Sequence, residues 1–511
     1  MLSLLLAYGL TWFLVQQAQT YFIATELRPT NRPLTLWLLQ TNLVTLIFSI
    51  ALLISYRPWL AGIISLAVCA VFLVVNQAKY QALKEPLVFS DIYLYLQVFT
   101  HPRLFLPFLN LPLTLAAILV GLALLYTAAI LEPALSFSRL NFSLILIVAF
   151  IVLTGLSYKI STTINLSFDP KTDIKTLGFF NSLLIYSLQA KRLKNIQELQ
   201  FTIRTESPYT RPAPDLPTRP DIIVIQSESF FDARSLTTAI NANVLQNFDF
   251  IKNTVLLSGS LHVPAWGANT LRTEYAFLSG IDNQKLKHYR FNPYQFLQKE
   301  ASPSIANYFK ALGYHCICIH PNHSIFFKRN KVFPLLGFDE FIDINEFDST
   351  HTAGPYISDQ AIALKIQNVL AKRANAKPLF IFAITMENHG PLHLENYEPA
   401  DVAEFYQAEP LKQHHDLTVY LKHLKNADQM LTNLTAYLKT SSTASFLCWY
   451  GDHVPSMPDV YKELNFQDGR SDYLIWSNRS QNLAVASKDL AVENLGMELL
   501  NLAGLRVANE S

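Results

Sequence analysis

Cysteine is scarce in this chain, with four in 511 residues, and none stands where chemistry needs a thiol. Cys69 lies inside an apolar run, and Cys316, Cys318 and Cys448 cannot form a closed disulfide set. Cys316-Ile317-Cys318 is too tight for a relaxed bridge. No second Cys/His pair sits at zinc-finger spacing, so all four read as small buried hydrophobes. An excess of either charge is also missing. Lys and Arg number 40 against 39 Asp and Glu, a net charge of +1. Without a basic arm, an acidic tail or a low-complexity tract, nothing points to a polyanion-binding protein. The first apolar run has no basic segment before it and no small-residue cleavage site, so it reads as a retained helix rather than a cleaved signal peptide.

What the chain does have is long apolar runs, all in its first third. Five are long enough to span a bilayer as helices, at about 1–18, 35–55, 59–78, 111–131 and 140–158. Trp12, Trp37 and Trp59 fall near run ends, as interfacial aromatics do. The stretch between the third and fourth runs is apolar but broken by Pro86, Asp91, His101 and Pro102. It suits a re-entrant segment or an amphipathic helix lying on the membrane. If the N-terminus is cytoplasmic, the loops with Arg28, Arg32, Lys79, Lys84 and Arg103 face outward and only Arg57 and Arg139 face in. The positive-inside count therefore opposes that orientation.

The expected organisation is a transmembrane domain over 1–160, juxtamembrane helices with a Pro-rich linker over 161–220, and a globular domain over 221–511. Residues 174–197 carry an amphipathic pattern that predicts a helix hugging the membrane. Five prolines between 208 and 220 then predict a stiff, extended linker.

The globular part opens with DIIVIQSESF, an apolar run without alternation that ends in polar residues. That is the pattern of a strand buried on both faces of a parallel sheet. It recurs as HCICIHPN, PLFIFAITMENH and SFLCWYGDH, each after a helix-like stretch. The fold class is therefore an α-helical membrane domain plus a doubly wound α/β domain with a mainly parallel sheet. Each strand ends in groups that carry chemistry: Glu228, then His320, then Glu387 and His389, then Asp452 and His453. Ligands of open parallel sheets bind beyond the carboxyl ends of the strands, so four segments deliver carboxylates or imidazoles to one edge. A metal or phosphate site is expected there. Carboxylate with imidazole suits zinc, manganese or iron, and Glu228, Asp452 and His453 leave room for an oxygen nucleophile. The candidate is Thr270, which follows Gly-Ala-Asn and opens a helix-like stretch whose N-terminus also favours phosphate. The alternative is that Thr270 or Thr273 is only a helix cap. His351, His393, His414 and His415 read as loop or solvated residues.

The set IQSESF, GANTLRTEYAFLSG, HPNHSIFFKRN, MENHGP and YGDHVP, behind five spans, resembles the lipoteichoic acid synthase-like membrane phosphoglycerol transferases. These form a branch of the alkaline phosphatase and sulfatase superfamily. The resemblance implies a sulfatase-like catalytic domain outside the cytoplasmic (inner) membrane, and on that ground it overrules the loop charges. It implies metal ligation by Glu228, Thr270, Asp452 and His453, with manganese as the metal and Thr270 also the nucleophile. His320, Arg329 and His389 would hold the phosphate and head group, and His389 would assist proton movement. The donor would be a phospholipid such as phosphatidylglycerol, and the acceptor a glycan or polymer. Asn322 and Phe327 stand where the family has an acidic residue and a tryptophan, which keeps phosphoethanolamine as an alternative head group. Hydrolysis of a phosphodiester is a further alternative. No cysteine opens the C-x-P-x-R pattern from which sulfatases make formylglycine, so sulfatase activity is not expected.

Overall fold

The computed structural model describes residues 1–95, 98, 102, 106, 109–210, 219–298, 301–373, 377–412, 414–479 and 486–506. The chain forms two compact units, 1–197 and 198–511. Residues 211–218 of the proline-rich linker, and most of the expected re-entrant segment from 96 to 108, lie outside the described residues.

The first unit is helical: α1 Leu2–Phe22, α2 Leu34–Ser55, α3 Pro58–Leu83, α4 Leu111–Leu131, α5 Arg139–Ser161 and α6 Phe179–Ala190. Helices α2 to α5 are long and apolar enough to cross a membrane. The fifth expected span, α1, is diluted near its end by Gln16, Gln17 and Gln19 and is not among those four. Its polar end is paired within the unit. Gln40 Nε2 donates to Gln16 Oε1, and Arg32 Nη1 donates to Gln40 Oε1, both at 2.7 Å.

Leu113, Leu119, Val120 and Leu122 on α4, and Ile145, Val148, Ile151 and Val152 on α5, are all more than half exposed. An apolar surface of this extent is unfavourable in water and is matched by lipid. The asparagine of the amphipathic helix α6 points inward: Asn181 Nδ2 donates to the Leu36 and Leu177 carbonyls, each at 2.9 Å. Asp91, which interrupts the apolar pattern, is the buried partner of Lys79 at 2.6 Å, and Glu85 takes the same ammonium at 2.6 Å.

The second unit holds strands β1 Asp221–Ser227, β2 Leu257–His262, β3 His315–Ile319, β4 Glu340–Ile342, β5 Thr352–Ala353, β6 Tyr356–Ile357, β7 Leu379–Ile384, β8 Ser445–Gly451, β9 Ser471–Ser477, β10 Ala486–Ser487 and β11 Leu490–Ala491. Its main sheet runs β10-β2-β9-β8-β1-β7-β3-β4, with β11 also on β2. The five strands β8, β1, β7, β3 and β4 are mutually parallel, whereas β9 is antiparallel to β8 and to β2. Strands β5 and β6 form a separate hairpin.

Helices α7 Thr270–Ser279, α8 Ile305–Ala311, α9 Asp359–Ala371 and α10 His415–Thr440 cover the sheet on both faces. Ile223 and Ile225 of β1, with Ile381 of β7 and Trp449 of β8, join a core with Ile362 and Ile366 of α9 and Leu421 and Leu424 of α10. Residues that alternate with these face the other way: Phe277 of α7 stacks on Phe382 at 5.8 Å and on Tyr450 at 4.9 Å, and Phe309 of α8 on Phe380 at 4.4 Å. Burial on both faces is why β1 and β7 read as unbroken apolar runs. The four loaded strands are neighbours in the order β8-β1-β7-β3, so their carboxyl ends lie side by side.

Candidate metal centre and phosphate pocket

Glu228, Asp452 and His453 each follow a central strand by one or two residues, and all three are buried. One ligand atom from each lies within 4.8 Å of the others. His453 Nδ1 faces the Val454 carbonyl at 3.0 Å, which places its proton there. The Nε2 lone pair then looks at Asp452 Oδ2 (3.3 Å) and Glu228 Oε1 (3.5 Å). Asp452 Oδ2 has no hydrogen-bond partner. Burial pushes the Glu228 pKa up, and the neighbouring Asp452 pushes it further. Two carboxylates and a lone pair converging on one buried point, one oxygen of them unpartnered, fit a divalent cation.

Ser229 holds the ligands in place from a left-handed backbone (φ 54°). Its N–H donates to Asp452 Oδ1 at 2.8 Å and its hydroxyl to Glu228 Oε1 at 2.9 Å. Tyr420 of α10 grips the Ser229 carbonyl at 2.7 Å.

Thr270 is the first residue of α7. The cap position is Asn269, in the left-handed region (φ 70°), and no side chain caps the helix. The Thr270 hydroxyl instead lies 3.4 Å from His453 Nε2. Thr273, one turn on, donates to the Asp452 carbonyl at 2.8 Å and locks α7 to the end of β8. The structure thus brings Glu228, Thr270, Asp452 and His453 into one buried pocket.

A second group sits beyond β3 and β7. His320 Nδ1 donates to the Ile384 carbonyl (3.1 Å), and its Nε2 accepts from Arg329 Nη1 (3.0 Å). Burial, with the Arg329 charge, holds the His320 pKa well below the usual imidazole range. Arg329 is fully buried. Its Nε and Nη2 donate to Glu274 Oε1 and Oε2 at 3.1 and 2.8 Å. The Nε/Nη2 edge of the guanidinium is therefore taken by Glu274. Of the five guanidinium N–H groups, three are engaged within the protein.

Glu274 Oε1 also accepts from Tyr294 at 2.6 Å. Phe327, left-handed at φ 52°, lays its ring 5.1 Å from the Arg329 carbon, and Asn322 is half-buried nearby in sequence. His389 is half-buried, with Nδ1 on the Gly390 carbonyl at 2.7 Å, so Nε2 keeps its lone pair. Burial lowers its pKa.

Sequence reasoning missed Ser229, Glu274, Tyr294 and Tyr420. Glu274 was detectable, because it stands four residues after Thr270 in a helical pattern and so shares its face. His414, expected in solvent, instead bridges the Leu411 carbonyl (2.6 Å) and the Tyr397 hydroxyl (3.1 Å).

Comparison with known proteins adds findings of sequence and fold. A family profile described as Sulfatase matches residues 220–505. The capsular polysaccharide biosynthesis protein RkpI of Rhizobium meliloti (strain 1021) is 28% identical over 460 residues, spanning 86% of this chain and 81% of that protein. Among solved structures, the integral membrane protein lipooligosaccharide phosphoethanolamine transferase A (EptA) from Neisseria meningitidis shares the fold. It has a TM-score of 0.53 and 13% identity, covering 87% of this chain and 88% of that one. The phosphoglycerol transferase GacH of Streptococcus pyogenes, in complex with sn-glycerol-1-phosphate, gives a TM-score of 0.46 at 22% identity, covering 60% and 80%.

Proposed function

The chain belongs to the sulfatase family, and on that premise we propose that it is a membrane-bound transferase of glycerol phosphate. The donor is phosphatidylglycerol and the acceptor a glycan or polymer, with the catalytic unit outside the cytoplasmic membrane. The observation that carries the proposal is the Thr270 hydroxyl, 3.4 Å from His453 Nε2 in the same buried pocket as Glu228 and Asp452. A cation held by Glu228, Thr270, Asp452 and His453, proposed to be Mn2+, would supply Lewis acidity to the threonine hydroxyl and a phosphoryl oxygen.

The chain's own residues do the rest. Thr270 Oγ1 attacks the phosphorus, an O–P bond forms, and the bond to the diacylglycerol oxygen breaks. The proton lost by Thr270 ends on that departing oxygen, and in this reading the His389 Nε2 lone pair carries it. Diacylglycerol stays in the lipid while glycerol phosphate remains esterified to Thr270. The acceptor hydroxyl then attacks the same phosphorus, its proton returns to Thr270, and the product leaves. Splitting one displacement into two lowers each barrier. The N-terminus of α7, a 10-residue helix, directs backbone N–H groups at the transferring phosphate. Arg329 offers N–H groups that Glu274 and His320 leave over, with Glu274 already balancing its charge. An apolar helical unit suits a donor that is itself a membrane lipid.

The test is release of diacylglycerol from fluorescent phosphatidylglycerol and, separately, phosphatidylethanolamine by the purified full chain, with and without manganese. Metal-dependent release from phosphatidylglycerol alone, abolished in Thr270→Ala, supports the proposal. Release from phosphatidylethanolamine instead keeps the chemistry and replaces the head group.

A further inference from the structure

The chemistry above leaves unused a buried ionisable cluster beneath the segment 387–395 that carries His389. His423 of α10 is 3% exposed. Its Nδ1 lies 3.2 Å from Glu387 Oε1, and its Nε2 lies 3.0 Å from Glu395 Oε2. Glu387 stands just before His389 and Glu395 six residues after it, so one ring touches both ends of the segment. A neutral imidazole has one donor and one acceptor nitrogen, and against two carboxylates it would set a lone pair against an anion. The doubly protonated ring satisfies both contacts.

Other elements close the cluster. Asn426, three residues on along α10, donates to Glu387 Oε1, and the Asp359 N–H at the start of α9 donates to Glu387 Oε2 at 2.7 Å. Burial and the nearby Glu387 raise the Asp359 carboxyl well above its usual range. Gly354, at φ 58° in the β5–β6 hairpin, is packed so closely that a Cβ there would collide with Glu395 Oε2. Burial works against a charged His423, but the hydrogen bonds to Glu387 and Glu395 outweigh it and hold its pKa at about 9. The same helix, one turn earlier, presents Tyr420 to the Ser229 carbonyl. One face of α10 therefore supports both the metal-ligand loop and the His389 loop.

We propose that His423 is a positioning residue whose doubly protonated ring clamps Glu387 to Glu395 and so fixes the loop that presents His389. The reading of His389 as the proton carrier rests on the function proposed above, whereas the clamp itself does not.

The clamp is tested on the full chain in detergent by hydrogen exchange of wild type and His423→Gln. Losing two charge-assisted bonds is expected to speed exchange in segment 386–395 by at least about tenfold at neutral pH. Segments 221–229 and 445–453 should keep their wild-type protection. Raising the pH of the wild type through about 9 should open the same segment beyond the intrinsic alkaline acceleration, and His423→Gln should show no such step. In turnover, kcat should fall in His423→Gln while KM and manganese affinity hold.

Unchanged exchange over 386–395 in a folded His423→Gln overturns the proposal. Independently, the nitrogen spectrum of 15N-histidine-labelled wild type should show His423 protonated on both nitrogens at pH 7.5, and a neutral tautomer there overturns it even where the variant fails to fold. If Thr270→Ala retained turnover, the proposed reaction would fail while these exchange and spectroscopic results stood.

Discussion

Replacing Glu274 by alanine strands the guanidinium of Arg329 in the interior. Arg329 is 1% exposed and Glu274 0%, and the two share parallel bonds of 3.1 and 2.8 Å. Removing one member of a buried pair leaves the other charge desolvated and uncompensated, a cost of about 3–5 kcal/mol. That cost measures the stranded charge, not the net worth of the pair. The double variant Glu274→Leu/Arg329→Met removes the stranded charge and should recover the loss except for about 1–3 kcal/mol left by the Tyr294 hydroxyl and His320 Nε2, which lose their partners. In thermal unfolding of the full chain followed by tryptophan fluorescence, at about 2–4 °C per kcal/mol, Glu274→Ala should melt about 6 °C or more below wild type. The double variant should melt above Glu274→Ala, yet turn over slowly because Arg329 is gone. A Glu274→Ala loss under about 1 kcal/mol, or additive losses in the double variant, would refute the view of a dry, mutually dependent pair.

Metal removal should make stability fall with rising pH. The Glu228 pKa is raised in the folded state, so the folded protein binds more protons than the unfolded one above the ordinary glutamate range. Stability is complete below that range and is lost as pH climbs through the raised value. Chelator-treated protein should therefore melt lower at pH 8 than at pH 5, and added manganese should recover more at pH 8; a flat profile contradicts this. At the cap of α7, Asn269→Gly should be nearly neutral. Asn269→Val, forced into the left-handed region (φ 70°), should cost at least about 1–2 kcal/mol and displace Thr270, which unfolding and turnover measured together will show.

The parallel half of the sheet was legible because β1, β3, β7 and β8 are buried on both faces and leave no polar alternation to confuse the period. Strands β2 and β9 were not. Ser258, Gly259 and Ser260 interrupt the apolar pattern of β2, where Gly259 is pressed against the Lys488 backbone, and β9 runs antiparallel without a crossover helix to announce it. The carboxyl-edge residues were readable by position: Glu228, His320, Asp452 and His453 each follow a strand. Their supports were not, since Tyr420 and His423 sit within a helix whose neighbours are 190 or so positions away in the case of Ser229 and about 30 in the case of Glu395. Only the folded chain shows that Arg329 spends its Nε/Nη2 edge on Glu274. The first helix forms where the first apolar run predicts it, over Leu2–Phe22, with its glutamines toward the C-terminal end.

The central claim is that Thr270 carries the transferred group. Full chain incubated with manganese and phosphatidylglycerol, without acceptor, then acid-quenched and digested, can be read by mass spectrometry of the peptide containing Thr270. The account predicts glycerol phosphate esterified to Thr270, removed when acceptor is added and absent from the same peptide of Thr270→Ala. Continued diacylglycerol release from the Thr270→Ala protein, with the threonine peptide of wild type unmodified throughout turnover, would contradict it.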